Sequence, residues 1–123
     1  MDPLERGVEL FNRGLYWEAH EAWEELWLEL EDEPKLFMQG LIQLAAAYHK
    51  ATVQMQPSGC VKLHRSALVK LTPAPRDFMG VQTGPLLAAA HRTLAEAERW
   101  LAGEAPGIER ALIPRITLAR DVH

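Results

Sequence analysis

His20 and Glu24 stand four residues apart in the segment 14–27, GLYWEAHEAWEELW. On a helix that spacing brings the two side chains together on one face. An imidazole and a carboxylate joined in this way can act as a general base, chelate a cation, or hold each other as a hydrogen-bonded pair. A second polar group follows in the segment 39–50, QGLIQLAAAYHK, which carries Gln39, Gln43 and His49. As a base, the carboxyl of Glu24 would be raised by burial and held down by its imidazole partner. As a divalent-metal site, His20 and Glu24 would take His49 from the next helix as a third ligand. Three protein ligands and a water is the count of a catalytic zinc, which gives a small metal-dependent hydrolase. His20-Glu21-x-x-Glu24 lacks the second histidine of H-E-x-x-H. No Glu-x-x-His pair of the di-iron bundle type is present. The plainer reading is a buried imidazole satisfied by Glu24, with Gln43 or His49 completing the network.

The other candidate groups are weaker. His64 falls on a basic helix expected to face water, and His91 at the edge of an apolar stripe, two turns before Glu98. Three histidines converging from three helices would be a further metal arrangement. Cys60 follows a turn at a helix start, where a thiolate is mildly favoured, but it has no nucleophile partner and reads as a structural thiol. Trp23 and Trp27 read as core or groove aromatics whose N–H groups need acceptors. Trp17 and Trp100 fall away from their main stripes and are candidates to anchor a partner or a dimer seam. No Gly-rich phosphate loop and no Ser-His-Asp order is present.

The elements that must position these residues are helices. Asp2 as N-cap, Pro3 and Glu5 start the first helix, and Gly14 stops it. A second helix spans about Leu15 to Leu30. At ~100° per residue, Tyr16, Ala19, His20, Trp23, Leu26, Trp27 and Leu30 share one of its faces. Glu18, Glu21, Glu25 and Glu29 lie opposite. Helix three spans about Lys35 to Gln54, and its uncharged centre, GLIQLAAAY, belongs in the middle of a bundle. Gln56-Pro57-Ser58-Gly59 reads as a turn, helix four as Cys60 to Leu71, and 72–84 as a loop punctuated by Pro and Gly. Helix five runs from about Pro85 to Ala102, before Gly103. The segment 103–123 reads as an extended tail with Ile116 and Leu118 turned inward. The fold class is therefore all-α: a compact bundle of about five antiparallel helices with an irregular C-terminal tail.

With 123 residues, the chain has the length of one domain. Its composition, 48% hydrophobic and 24% charged, is that of a globular protein and excludes a disordered chain. A single cysteine excludes an internal disulfide framework. The net charge of −4 weighs against a nucleic-acid partner. No stretch reaches ~18 apolar residues, so no membrane span is expected. The start, MDPLERGVEL, is acidic where a signal peptide would be basic and then apolar, and a cytoplasmic location is the expectation. Charge is segregated: residues 1–33 carry eleven acids and two arginines, whereas 34–76 carry six bases and no acid. Solvated faces account for this plainly. The sharper alternatives are a self-complementary homodimer or a basic groove for an anion.

The two motifs, residues 14–27 and 39–50, resemble the family called domain of unknown function 309, whose members are small all-helical proteins. Weaker similarity continues through Ala67-Leu68-x-Lys70-Leu71, Pro75, Gly80-Val81 and Ile113-Pro114-Arg115-Ile116. The recognisable positions are Tyr16, His20, Glu21, Glu24, Trp27, Gln39, Gly40, Gln43 and His49. The resemblance implies a helical bundle and carries no catalytic residue across. The expected function is thus a binding or interaction module, with a buried His/Glu/Gln cluster between helices two and three and an unidentified protein or small molecule as partner. The metal-dependent hydrolase is the alternative.

Overall fold

Asp2 starts the first helix, because its carboxylate accepts the Glu5 backbone N–H at 2.8 Å. In the computed structural model, which describes residues 1–119, α1 spans Pro3–Asn12. Gly14, at φ 80°, turns the chain out of it. α2 follows at Tyr16–Glu29. α3 spans Asp32–His49 and begins three residues before the sequence reading. Pro34 sits inside its first turn, where a missing N–H costs nothing, and Asp32 and Glu33 stand at the positive end of the helix dipole. A π-helical turn, Lys50–Gln54, continues α3. Met55 ends it in the left-handed conformation at φ 53°, and the Gln56 N–H returns to the Lys50 carbonyl at 2.9 Å.

α4 spans Pro57–Leu71 and α5 spans Thr83–Leu101. The turn expected at Gln56–Gly59 is corrected. Pro57, Ser58 and Gly59 open α4, for which a proline at the first position is well suited, and Met55 makes the reversal. Between α4 and α5 lies a short 3-10 turn, Phe78–Gly80. Short connections make each helix a hairpin partner of the next, and the principal packing runs α1–α2–α3–α4–α5 in that order.

One buried cluster joins the elements: Phe11 from α1, Tyr16 and Trp23 from α2, Leu41, Leu44 and Tyr48 from α3, Leu71 from α4 and Leu86 from α5. α1 and α2 cross at Gly7, where an added Cβ would fall inside the Trp23 indole. The indole N–H donates to the Leu4 carbonyl at 3.2 Å. The tail closes the ring of contacts. Asn12 donates to the Ile116 carbonyl at 2.9 Å and accepts the Ile116 N–H at 2.7 Å. Ile116 and Leu118 are buried as expected, and Leu118 makes an isolated bridge to Val81. The part of the tail reading beyond residue 119 lies outside the described residues.

Candidate binding site at the seam of α2 and α3

His20 and Glu24 meet as their spacing requires: the imidazole Nε2 and carboxylate Oε1 are 2.7 Å apart. The burial expected for the pair is only half realised. The His20 side chain is 14% exposed, whereas that of Glu24 is 53% exposed. A carboxylate that far into water keeps its own hydration, so this is a surface pair rather than a buried base. The other ring nitrogen, Nδ1, is buried and has no partner.

The indole of Trp17 joins His20 to α3. It stacks on the His20 ring with centroids 4.4 Å apart and planes at 22°, and lies 5.1 Å from His49 at 40°. Both imidazoles thus rest against one indole. Among the described residues no three His, Cys, Asp or Glu side chains form a group able to hold a metal ion, so the expected set of His20, Glu24 and His49 is not assembled. Trp17 itself remains 43% exposed.

The remaining candidates separate. Gln43 turns to α4 instead of His20: its carbonyl accepts from the Ser66 hydroxyl at 3.0 Å, and Lys70 donates to that hydroxyl at 2.7 Å. This corrects the network expected across the seam. Tyr16 is core, edge-on to Phe11 at 5.1 Å and beside Tyr48 at 5.6 Å. Burial raises its phenol above the usual value, partly offset by the Arg110 charge. Glu21 is exposed on α2. Trp27 carries the Lys35 ammonium 4.2 Å above its ring. Glu24, Trp27, Leu28, Gln39 and Ile42 line a small groove of about 280 Å³.

Trp17, Glu21, Glu24 and Leu28 repeat at alternating steps of four and three along α2, and Gln39, Ile42, Ala46 and His49 do so along α3. That repeat keeps each set on one stripe of its helix. Where the stripes face each other they edge a shallow trough, formed by Glu24, Trp27, Leu28, Gln39 and Ile42, and the contact between Trp17 and His49 lies beyond its end. Ile42 is almost covered, while Leu28 is 72% exposed. A larger open depression of about 630 Å³ lies between the π-helical turn and residues 104–110. It contains none of the candidates.

Sequence reasoning missed a second polar chain. His64, expected to face water, is fully buried. Its Nδ1 lies 2.9 Å from the Cys60 carbonyl, so this nitrogen carries the proton and donates. Nε2 is then an acceptor for the Thr93 hydroxyl at 2.9 Å, and the Tyr48 hydroxyl donates to Thr93 at 2.8 Å. Burial lowers the His64 pKa, partly offset by the carbonyl bond. It raises that of Tyr48, opposed by the Thr93 bond. The thiolate tendency expected of Cys60 is reversed, since burial pushes the thiol up to about 12. His91 is exposed, so the histidines do not converge. The visible signal was Cys60 and His64 one turn apart, with a threonine in the apolar stripe of α5.

Comparison with known proteins agrees with the two motifs. A protein of Aquifex aeolicus (strain VF5), named only "Uncharacterized protein", is 30% identical over 89 residues, which are 72% of this chain and 26% of that protein. The chain therefore spans about a quarter of the length of the curated relative it matches. The weaker similarity read beyond residue 63 falls outside the matched family region. Both motifs lie inside it: residues 4–63 match the family described as "Domain of unknown function (DUF309)".

Proposed function

We propose that the protein is a binding module whose working surface is the α2–α3 seam. One observation carries this reading: Trp17, 43% exposed, is held against two imidazoles beyond the end of a trough rather than packed into the core. An aromatic side chain fixed in advance loses little conformational freedom when a partner covers it, which suits an interface anchor. The length of the Aquifex relative supports a module that works beside other protein segments. The ligand geometry does not favour the hydrolase alternative.

The test is site-specific photo-crosslinking in living cells, with the reactive side chain placed at Glu21 or Leu28 and, as a control, at exposed Ala95 on α5. The expected result is adducts at positions 21 and 28, none at 95, and their loss in Trp17→Ala. An adduct of twice the chain's mass identifies a second copy as the partner. Adducts no stronger at 21 and 28 than at 95 would overturn the reading.

A further inference from the structure

We propose that the occupant of the α2–α3 trough is a basic, amphipathic helical segment of a partner protein. The inference rests on the binding-module reading and adds the partner's chemistry. Residues 14–34 carry eight acids and no lysine or arginine. Glu18, Glu21, Glu24, Glu25 and Glu29 are all exposed along α2. Of these five, only Glu24 is in an ion pair among the described residues, and its partner is an imidazole rather than a lysine or arginine. Glu21 and Glu24 stand on the stripe that edges the trough, and Glu18, Glu25 and Glu29 lie on the adjoining outer face of α2, so this side of the trough is acidic and carries no lysine or arginine. The floor of the trough, at Ile42, is apolar, exposed Leu28 lines it, and exposed Trp17 lies beyond its end.

The dimensions suit a helix. Trp17 and Leu28 are eleven positions apart, or about 16 Å at 1.5 Å per residue. A partner helix of about three turns, with apolar residues at i, i+4, i+7 and i+11, would follow the trough and reach Trp17. Lysine or arginine on its flank would then lie over the α2 carboxylates. The same acidity disfavours nucleic acid and the anionic inner face of a membrane. A second copy is a poorer match. Arg65 is already paired with Glu98 at 2.7 Å, Lys70 is bound to Ser66 and Lys50 to Gln56.

The experiment is selection from a displayed library of helical peptides, apolar at those four positions and free to hold Lys, Arg, Glu or Asp at the flanking ones. The expected result is enrichment of lysine and arginine. A selected peptide should bind about tenfold more weakly when salt is raised well above physiological strength. The double variant Glu21→Lys/Glu25→Lys, which leaves the His20–Glu24 pair alone, should invert the selection toward acidic peptides. Enrichment without charge bias, no enrichment, or a chain that sediments at twice its mass without peptide would each overturn the proposal. Crosslinks at 21 and 28 combined with an unbiased selection sink the charge inference and leave the binding module standing. Absence of crosslinks sinks the module itself.

Discussion

Replacing Thr93 with valine tests whether the buried chain from Tyr48 to His64 holds the bundle together. The substitution keeps the shape and volume of the side chain almost unchanged, so no cavity forms. It removes one hydroxyl that serves both Tyr48 and His64 and also reaches the Ala90 carbonyl of its own helix at 3.1 Å. The Tyr48 hydroxyl loses the acceptor it reaches at 2.8 Å, and His64 Nε2 loses the donor at 2.9 Å. Both residues are fully buried, and water cannot replace the lost partner. A buried polar group left unsatisfied costs about 1–3 kcal/mol, so the two together predict a loss of about 2–6 kcal/mol. Total stabilities of about 5–15 kcal/mol are usual, and the variant should therefore unfold at a much lower urea concentration. Tyr48→Phe removes a donor but leaves Thr93 bonded to His64, and should cost about 1 kcal/mol. In the double variant the Tyr48 hydroxyl is no longer stranded. The combined loss should then fall short of the sum by about 1 kcal/mol or more. Equilibrium urea unfolding followed by circular dichroism measures all three. A Thr93→Val midpoint indistinguishable from the parent, or strict additivity in the double variant, would refute the reasoning.

The same chain makes stability depend on pH. The folded protein holds His64 below its usual value near 6.5, so the unfolded chain takes up a proton that the fold refuses. The contribution is complete above pH ~6.5 and is lost as pH falls toward the lowered folded value. His64→Gln should therefore flatten the fall in urea midpoint below pH ~6.5, and an unchanged slope would count against this assignment. Gly7→Ala drives a methyl into the Trp23 indole and should lower stability by about 1–3 kcal/mol or more. Loss of intensity and a red shift in tryptophan emission would report the same disturbance, and an unchanged melt would show that α1 has room to move. Glu24→Gln should change stability by less than about 1 kcal/mol, because its carboxylate is largely in water. A large loss in thermal melts would restore the buried network.

The helices were legible because their signals are local. Asp2, Pro3 and Gly14 bound α1 through cap and turn chemistry that operates within a few residues, and the apolar centre of α3 identifies itself by lacking charge. The His20–Glu24 contact was legible for the same reason, since one helical turn sets it. What failed was partner choice between helices. Gln43 could have turned to either neighbouring helix, and only packing placed it on Ser66 of α4. His64 was read as exposed from its basic neighbours Lys62 and Arg65. Those two residues lie on the outer side of α4, while His64 occupies the inner stripe with Cys60, Ala67, Leu68 and Leu71. The role of Trp17 was half visible: its position off the stripe indicated exposure, but not that two imidazoles would brace it.

Asn12 and Ile116 are tied together across 104 positions of sequence. A nascent chain cannot close this clasp until Ile116 has left the ribosome. Entropy resists such a closure only logarithmically with length, but contacts this remote delay the rate at which folding completes. Until Ile116 and Leu118 arrive, the apolar surface they cover around Val81 and Val8 stands open, and a stalled or clipped chain would be prone to aggregate. Trimming the chain before Ile116 would strip both tail partners from the Asn12 amide, so loosening should begin at the end of the first helix, far from the cut in sequence.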